Sequence, residues 1–155
     1  MVIESTKNTN LILFIIFGVL IINFVNAQEL KKHQWKNRVV LIVAQNEDSK
    51  EYQQQIAEFN ALHKELRERK LLTYLILPLR YTIINYPVNP EKNEWISSST
   101  LFDKFAGENI DFKVLLIGLD GGIKLQKNGL LTAEELFGTI DPMPMRRAEL
   151  NKKKE

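Results

Sequence analysis

Residues 112–125 constrain the fold of this chain more than any other stretch. They contain an apolar run, Val-Leu-Leu-Ile at 114–117, with a β-branched residue at each end. Such a run is typical of a strand that is covered on both faces. The Asp-Gly-Gly sequence at 120–122 is a strong hairpin signal, because glycine adopts the positive φ that tight turns need. Residues 123–126 then alternate apolar and polar side chains, which predicts a half-exposed partner strand.

The composition excludes several classes of function. The chain has 155 residues, of which 45% are hydrophobic and 26% charged, as in one ordinary globular domain. Its formal net charge of +2 is too small to indicate nucleic-acid binding. The absence of cysteine excludes disulfides, a thiolate nucleophile and a thiolate metal site. His33 and His63 are the only histidines, so a three-histidine zinc site is excluded, and we expect no metal and no cofactor.

The first 27 residues are typical of a secretory signal peptide. An apolar run extends from Leu11 to Val25, interrupted only by Asn23, and Ala27 suits a signal-peptidase site. The run is short for a membrane span. We therefore predict a signal peptide at 1–27 and a secreted or periplasmic mature protein. The alternative is an uncleaved segment that anchors the protein in a membrane.

The first half of the mature chain predicts a β-α-β unit. Residues 38–44 and 71–77 are apolar runs typical of buried strands, and Pro78 stops the second. Between them, apolar residues recur at helical spacing from Tyr52 to Leu66, after a helix start at Asp48 or Ser49. Strands joined by one long helix should be parallel.

The second half predicts a loop, a short helix, the hairpin and a last helix. Residues 81–94 contain two prolines and several asparagines, and we expect an irregular surface loop there. Residues 100–106 are a short helix candidate. Thr132 is a candidate N-cap for the last helix, which Pro142 and Pro144 should end. Residues 151–155 are expected to be a charged tail.

The resulting order is β-α-β-α-β-β-α, which is the order of the thioredoxin fold. We therefore predict an α/β domain over residues 28–150, a thioredoxin-like three-layer sandwich with a mixed four-stranded sheet and flanking helices. The strand that begins at Arg38 should lie in the centre, beside those that begin at Leu71 and Phe112. The strand that begins at Ile123 should lie on an edge.

Two segments resemble one particular family within the thioredoxin-like superfamily. Residues 114–125 read Val-Leu-Leu-Ile-Gly-Leu-Asp-Gly-Gly-Ile-Lys-Leu, and residues 140–149 read Ile-Asp-Pro-Met-Pro-Met-Arg-Arg-Ala-Glu. Both are similar to domain-of-unknown-function family 4174. The resemblance implies a domain found alone in exported bacterial proteins and beside other modules in animal extracellular-matrix proteins. It implies no established activity.

The chain departs from thioredoxin-like enzymes where their chemistry takes place. Those enzymes carry a reactive cysteine where the first strand meets its helix, and residues 44–49 here contain no sulfur. They also usually carry a proline before the third core strand, where this chain has Ile110 and Asp111. Disulfide exchange and peroxide reduction require a thiolate, so the sequence argues against both.

Three residues are candidates for a binding site, and none is a candidate for catalysis. Arg146 and Arg147 follow a proline-fixed turn and could hold a carboxylate or phosphate. The structural alternative, which we favour, is that they pair with Asp141 or cap a helix end. Asp120 could be a ligand, although aspartate before glycine is first a turn residue.

These observations predict a redox-inactive binding or interaction module that is exported from the cell. The alternative is a thiol-independent enzyme or small-anion binder that uses Asp120, Arg146 and Arg147. The expected partner is a protein or a small anionic ligand of unknown identity, and not a nucleic acid. A membrane is expected as a partner only through an uncleaved N-terminal segment.

Overall fold

The computed structural model describes residues 29–86, 93–108 and 110–152. The chain divides into two compact units, Met1–Lys32 and His33–Glu155. The predicted signal peptide at 1–27 lies outside the described residues. No helix within the described part of the chain is long and apolar enough to cross a membrane.

The described residues of the second unit form an α/β fold on a mixed open sheet. The sheet has six strands, which are β1 (Arg38–Ala44), β2 (Leu71–Leu77), β3 (Arg80–Asn85), β4 (Ile96–Ser97), β5 (Phe112–Ile117) and β6 (Ile123–Lys127). The helices are α1 (Lys50–Asn60), α2 (His63–Glu68), α3 (Thr100–Phe105), α4 (Ala133–Ile140) and α5 (Pro144–Lys152). The strands lie in the order β4-β3-β2-β1-β5-β6.

Strand β1 lies inside the sheet, as its apolar sequence predicts. It runs parallel to β2, with Val39 opposite Leu72, and antiparallel to β5, with Val39 opposite Ile117. Strand β6 is antiparallel to β5 and forms one edge. The predicted α/β class, the mixed sheet and the parallel pairing of the first two strands are therefore confirmed.

The predicted number of four strands is wrong, because residues 80–85 form β3 and not a loop. Pro78 ends β2, but Pro78 and Leu79 form a two-residue turn, so that Leu77 pairs with Arg80. The β-branched and aromatic residues at 81–84 then pair antiparallel with β2. Ile96 and Ser97 add a short edge strand. Residues 87–92 of the expected loop lie outside the described residues.

The helices also differ from the prediction at two points. The long helix after Ser49 is divided into α1 and α2, with Ala61 and Leu62 between them. Helix α4 ends at Ile140 as expected, but Pro144 begins a further helix that reaches into the expected charged tail. Proline suits the first helical position, since the N–H that it lacks has no partner there.

The core lies between the sheet and helices α1, α2 and α4. Val40 and Ile42 of β1 pack in one cluster with Phe59, Leu66 and other apolar residues of these helices. Every side chain of β1 is buried, including those on the opposite face of the strand. Because neighbouring side chains point to opposite faces, both faces of β1 are covered.

Candidate functional site

Arg146 lies inside the protein, at the start of α5. Arg146 is 2% exposed, and its guanidinium donates hydrogen bonds to the backbone carbonyl and to the carboxylate of Glu68. The carboxylates of Asp141 and Glu149 lie at 3.5 and 3.6 Å. The side chain is therefore held by three acidic residues of its own chain.

Arg147 and Asp120 are exposed, in contrast to Arg146, and they differ from each other in their contacts. The Arg147 side chain makes no hydrogen bond or ion pair with any residue that the structure describes. Asp120 Oδ2 accepts a hydrogen bond from Lys124 at 2.6 Å, and its Oδ1 accepts one from the backbone of Gly122 at 3.1 Å. The Lys124 hydrogen bond, followed by that from Gly122, holds the pKa of Asp120 below its usual range. Asp120 thus closes the turn before β6.

Segments 114–125 and 140–149, far apart in the chain, meet at one end of the sheet. Between them is a cavity of about 320 Å³, lined by residues 118–120 on one side and 143–145 on the other. Arg38 and Lys124 also line it. The structure therefore brings Asp120 and the Met-Pro-Met sequence to one cavity.

A second cavity of about 430 Å³ shares Leu119 and Met145 with the first. Trp35 and Arg146 are among its lining residues, whereas Arg147 lines neither cavity. We call the two cavities together the motif groove. Arg146 and Asp120 therefore line neighbouring parts of one groove, and no hydrogen bond or ion pair joins them in the described part of the chain.

Two large apolar side chains are exposed at the motif groove. Trp35 is 63% exposed, and Met145 is 41% exposed. Trp35 also has a φ of 66°, a left-handed conformation that side chains other than glycine rarely adopt. Its backbone N–H donates to the carbonyl of Leu119 at 2.7 Å, which ties it to the residue that the two cavities share.

An ion cluster lies along the groove, and five of its seven members line the two cavities. Its cations are Arg38, Arg69, Lys70 and Arg146, and its anions are Glu68, Asp141 and Glu149. The Arg69 guanidinium holds the pKa of Asp141 below its usual range. Arg38 was not among the candidates from the sequence, although a single arginine at the head of an apolar strand is an unusual signal.

The two histidines are engaged in local contacts. His33 lies 2.7 Å from the Tyr74 hydroxyl, and the His63 ring packs against Tyr86. Burial raises the pKa of Tyr86 to about 12. Within the described residues, no group of three histidine, aspartate or glutamate side chains could hold a metal ion.

Residues 44–49, where the thioredoxin order predicts the position of a reactive cysteine, lie at the opposite end of β1 from Arg38. Ser49 caps α1, and its Oγ accepts a hydrogen bond from the Tyr52 backbone at 3.4 Å. Glu47 pairs with Arg80 at 2.6 Å, and Arg80 stacks on the Trp95 ring at 4.4 Å. This end of the sheet therefore carries an ion pair and a helix cap.

The fold and the groove define a cysteine-free α/β domain with a mixed open sheet and a partly apolar groove at one end. Residues 29–149 match the model of the family described as domain of unknown function DUF4174, and the chain belongs to this family. The resemblance expected from the two motifs is thereby confirmed. No curated protein and no solved structure matches the chain.

Proposed function

We propose that this protein is an exported, redox-inactive binding module with a thioredoxin-like fold, and that it holds its partner in the motif groove. The observation that carries the proposal is that both family motifs line this one groove. Groove residues Trp35 and Met145 are exposed and apolar. Exposed apolar side chains around a concavity are typical of binding surfaces, and methionine adapts well to a partner.

The sheet supports the thioredoxin-like assignment. Strand β1 lies between β2 and β5, and β6 lies at the edge beyond β5, as expected from the thioredoxin order. Strands β3 and β4 extend this arrangement beyond β2. Both strands follow β2 in the chain. Strands β3 and β4 are therefore an addition to a core of β1, β2, β5 and β6, whose pairing is the one expected.

The lack of cysteine supports a role in binding over thiol chemistry. The segment at residues 45–49 offers amides, carboxylates and a capping serine, none of which can attack a disulfide. Addition of the protein to an insulin-reduction assay should give no turbidity above that of buffer with dithiothreitol. Reduction of insulin by the purified protein would contradict this part of the proposal.

The predicted signal peptide supports export. Expression of the full chain followed by N-terminal sequencing of the recovered protein tests it, because cleavage after Ala27 leaves Gln28 at the N-terminus. Recovery of the uncleaved chain in the membrane fraction would instead favour the anchored alternative.

Binding in the groove can be tested with the methionines of the chain. Of the three, Met143 and Met145 line the groove, so their labelled methyl groups report on it in NMR spectra. We would select ligands from a displayed library of random peptides and titrate them into the protein. Selected peptides should shift both methyl resonances and should bind the variant with Met143→Gln and Met145→Gln about tenfold more weakly, since apolar contact area is lost.

A control variant distinguishes this groove from other apolar surfaces. Leu79 is 77% exposed at the opposite end of the sheet, on the turn between β2 and β3. Leu79→Ser should bind the selected peptides as the unmodified protein does. Peptides that lose binding with Leu79→Ser and keep it with the methionine variant would overturn the groove as the binding site, as would a library that yields no binder.

A further inference from the structure

Arg38 is a buried arginine whose hydrogen bonds are incomplete. The residue is 0% exposed and lines the first cavity of the motif groove. Its Nη1 donates to the carbonyl of Arg69 at 2.8 Å and to the Glu149 carboxylate at 3.2 Å. Its Nε and Nη2 are buried and have no hydrogen-bond partner among the described residues. Buried donors without acceptors are rare and destabilising, so these two nitrogens require an acceptor from outside the described residues.

The charges around Arg38 do not fully compensate it. Glu149, its one acidic partner in the described part of the chain, is also shared with Arg146 at 3.6 Å and with Lys70 at 3.3 Å. Among the residues that the structure describes, the ion cluster has four cations and three anions, an excess of one positive charge. The two most buried members, Arg38 and Arg146, are both cations.

The other charged residues of the first cavity neutralise each other. Lys124 and Asp120 are joined at 2.6 Å, so neither requires a charge from a ligand. Met143 and Met145 provide apolar surface on the side formed by the start of α5. The cavity therefore combines an incompletely compensated arginine with apolar walls.

We propose that the motif groove binds a carboxylate attached to an apolar body, and that the carboxylate completes the hydrogen bonds of Arg38. This inference rests on the proposed binding function and names the class of its ligand. A carboxylate matches the excess of one positive charge, whereas a phosphate dianion does not. Carboxylate and guanidinium also form paired hydrogen bonds with good geometry.

The carboxylate can come from a free organic acid or from the C-terminal residue of a polypeptide. Two matched pairs of probes separate these sources. The first pair is hexanoate and hexanamide, and the second is acetyl-Ala-Ala-Leu with a free or an amidated C-terminus. Each pair differs in charge at one group, and the dissociation constants are measured by titration of the Met143 and Met145 methyl resonances at constant ionic strength.

The charged member of at least one pair should bind about tenfold more tightly than its neutral partner, as expected for a charge-assisted hydrogen bond. A preference within the first pair alone identifies a free acid, and one confined to the second pair identifies a polypeptide C-terminus. If the charged and the neutral probe of each pair bind equally well, the proposed carboxylate recognition is wrong, but the proposed binding function is not contradicted. If none of the four probes binds, the proposed carboxylate recognition is also wrong. The proposed binding function is then tested separately by the peptides selected from the library.

Variants connect the preference to Arg38. Arg38→Gln should remove the preference for the charged probe, whereas Arg80→Gln, at the other end of the sheet, should keep it. Since Arg38→Gln risks unfolding, Met145→Glu and Met145→Gln form a second test at an exposed position. The glutamate should weaken binding of the charged probe roughly fivefold relative to the glutamine through repulsion, with equal binding of the neutral probe. Equal effects of the two Met145 variants on both probes would overturn the placement of the carboxylate.

Discussion

The side-chain amide of Gln55 is paired on both sides with the backbone of Leu131. Its Oε1 accepts a hydrogen bond from the Leu131 N–H at 2.7 Å, and its Nε2 donates one to the Leu131 carbonyl at 2.9 Å. Both residues are 0% exposed. The pair satisfies backbone groups of the segment before α4 inside the core, where water cannot reach them.

Gln55→Ala should therefore destabilise the protein strongly. The change leaves the N–H and carbonyl of Leu131 without partners, and each such loss costs about 1–3 kcal/mol. We expect the free energy of unfolding in urea to fall by about 3 kcal/mol. Gln54→Ala, at the exposed neighbouring position of α1, is the matched control and should change it by less than about 0.5 kcal/mol. Equal effects of the two variants would contradict the role given to this pair.

The adjacent arginines Arg146 and Arg147 should differ sharply when they are replaced by alanine. Arg146→Ala leaves Glu68, Asp141 and Glu149 with one cation fewer and opens a space in a buried position. Removing one partner of a buried ion pair costs about 3–5 kcal/mol. We expect about 3 kcal/mol, because Glu68 and Asp141 are 42% and 40% exposed and water can solvate them.

Arg147→Ala should leave the free energy of unfolding within about 0.5 kcal/mol, because its side chain is exposed. Urea unfolding of both variants, followed by circular dichroism, measures the difference. No loss with Arg146→Ala would mean that its ion pairs do not stabilise the fold. A large loss with Arg147→Ala would contradict the exposed placement of its side chain. If Arg146→Ala destabilises the fold in this way, loss of ligand binding by an Arg146 variant is not evidence that Arg146 contacts the ligand.

The ion pair of Asp141 predicts how stability depends on pH. Arg69 Nε and Nη2 donate to the two carboxylate oxygens of Asp141 at 2.9 and 2.7 Å and lower its pKa. The unfolded chain therefore binds a proton at a higher pH than the folded protein does. The stabilisation is complete above the unfolded pKa of about 3.9 and is lost as pH falls through the folded pKa.

Asp141→Asn should be less stable than the unmodified protein at neutral pH, and the difference should shrink as pH falls below about 4. Urea unfolding at several pH values between neutrality and the acid limit measures it. Asp120→Asn is a useful comparison, because Asp120 also has a lowered pKa, but its one ion-pair partner among the described residues is the exposed Lys124. A difference that stays constant with pH would show that Asp141 is not ionised in this pair.

The three central strands of the sheet could be predicted because the sequence of each one is itself typical of a buried strand. The apolar runs of β1, β2 and β5 are long enough to be buried on both faces, and the Asp-Gly turn orients β6. Strand β3 is not predicted because the two prolines and several asparagines of residues 81–94 indicate a loop, whereas residues 80–85 pair with β2. The helical extension of α5 was missed for a similar reason, since Pro144 marks a helix start.

The groove could be predicted only in part. The motif around Arg146 was a visible signal, but sequence cannot show that the first arginine points inward and the second outward. That difference depends on the register of α5 against Glu68 and Asp141, which are distant in the chain. Arg38 gives no such signal in the sequence, because it is simply the first residue of the apolar run that predicts β1.

Lys70, a member of the ion cluster, offers a test of backbone strain. It follows the C-cap residue Arg69 of α2 and has a φ of 53°, the left-handed conformation that usually requires glycine after a helix. Its side chain is 55% exposed and lies 3.3 Å from Glu149, an ion pair of small expected value. Lys70→Gly relieves the strain, and Lys70→Ala keeps it, while both remove the ion pair.

Lys70→Gly should therefore be more stable than Lys70→Ala by about 1 kcal/mol, the cost of the left-handed conformation for a residue with a Cβ. The alanine variant serves as the matched control, because the ion pair is absent from both proteins. Thermal and urea unfolding of the two variants measure the difference. If alanine is equal to or more stable than glycine, position 70 has no left-handed strain, and the path of the chain from α2 into β2 differs from the one described.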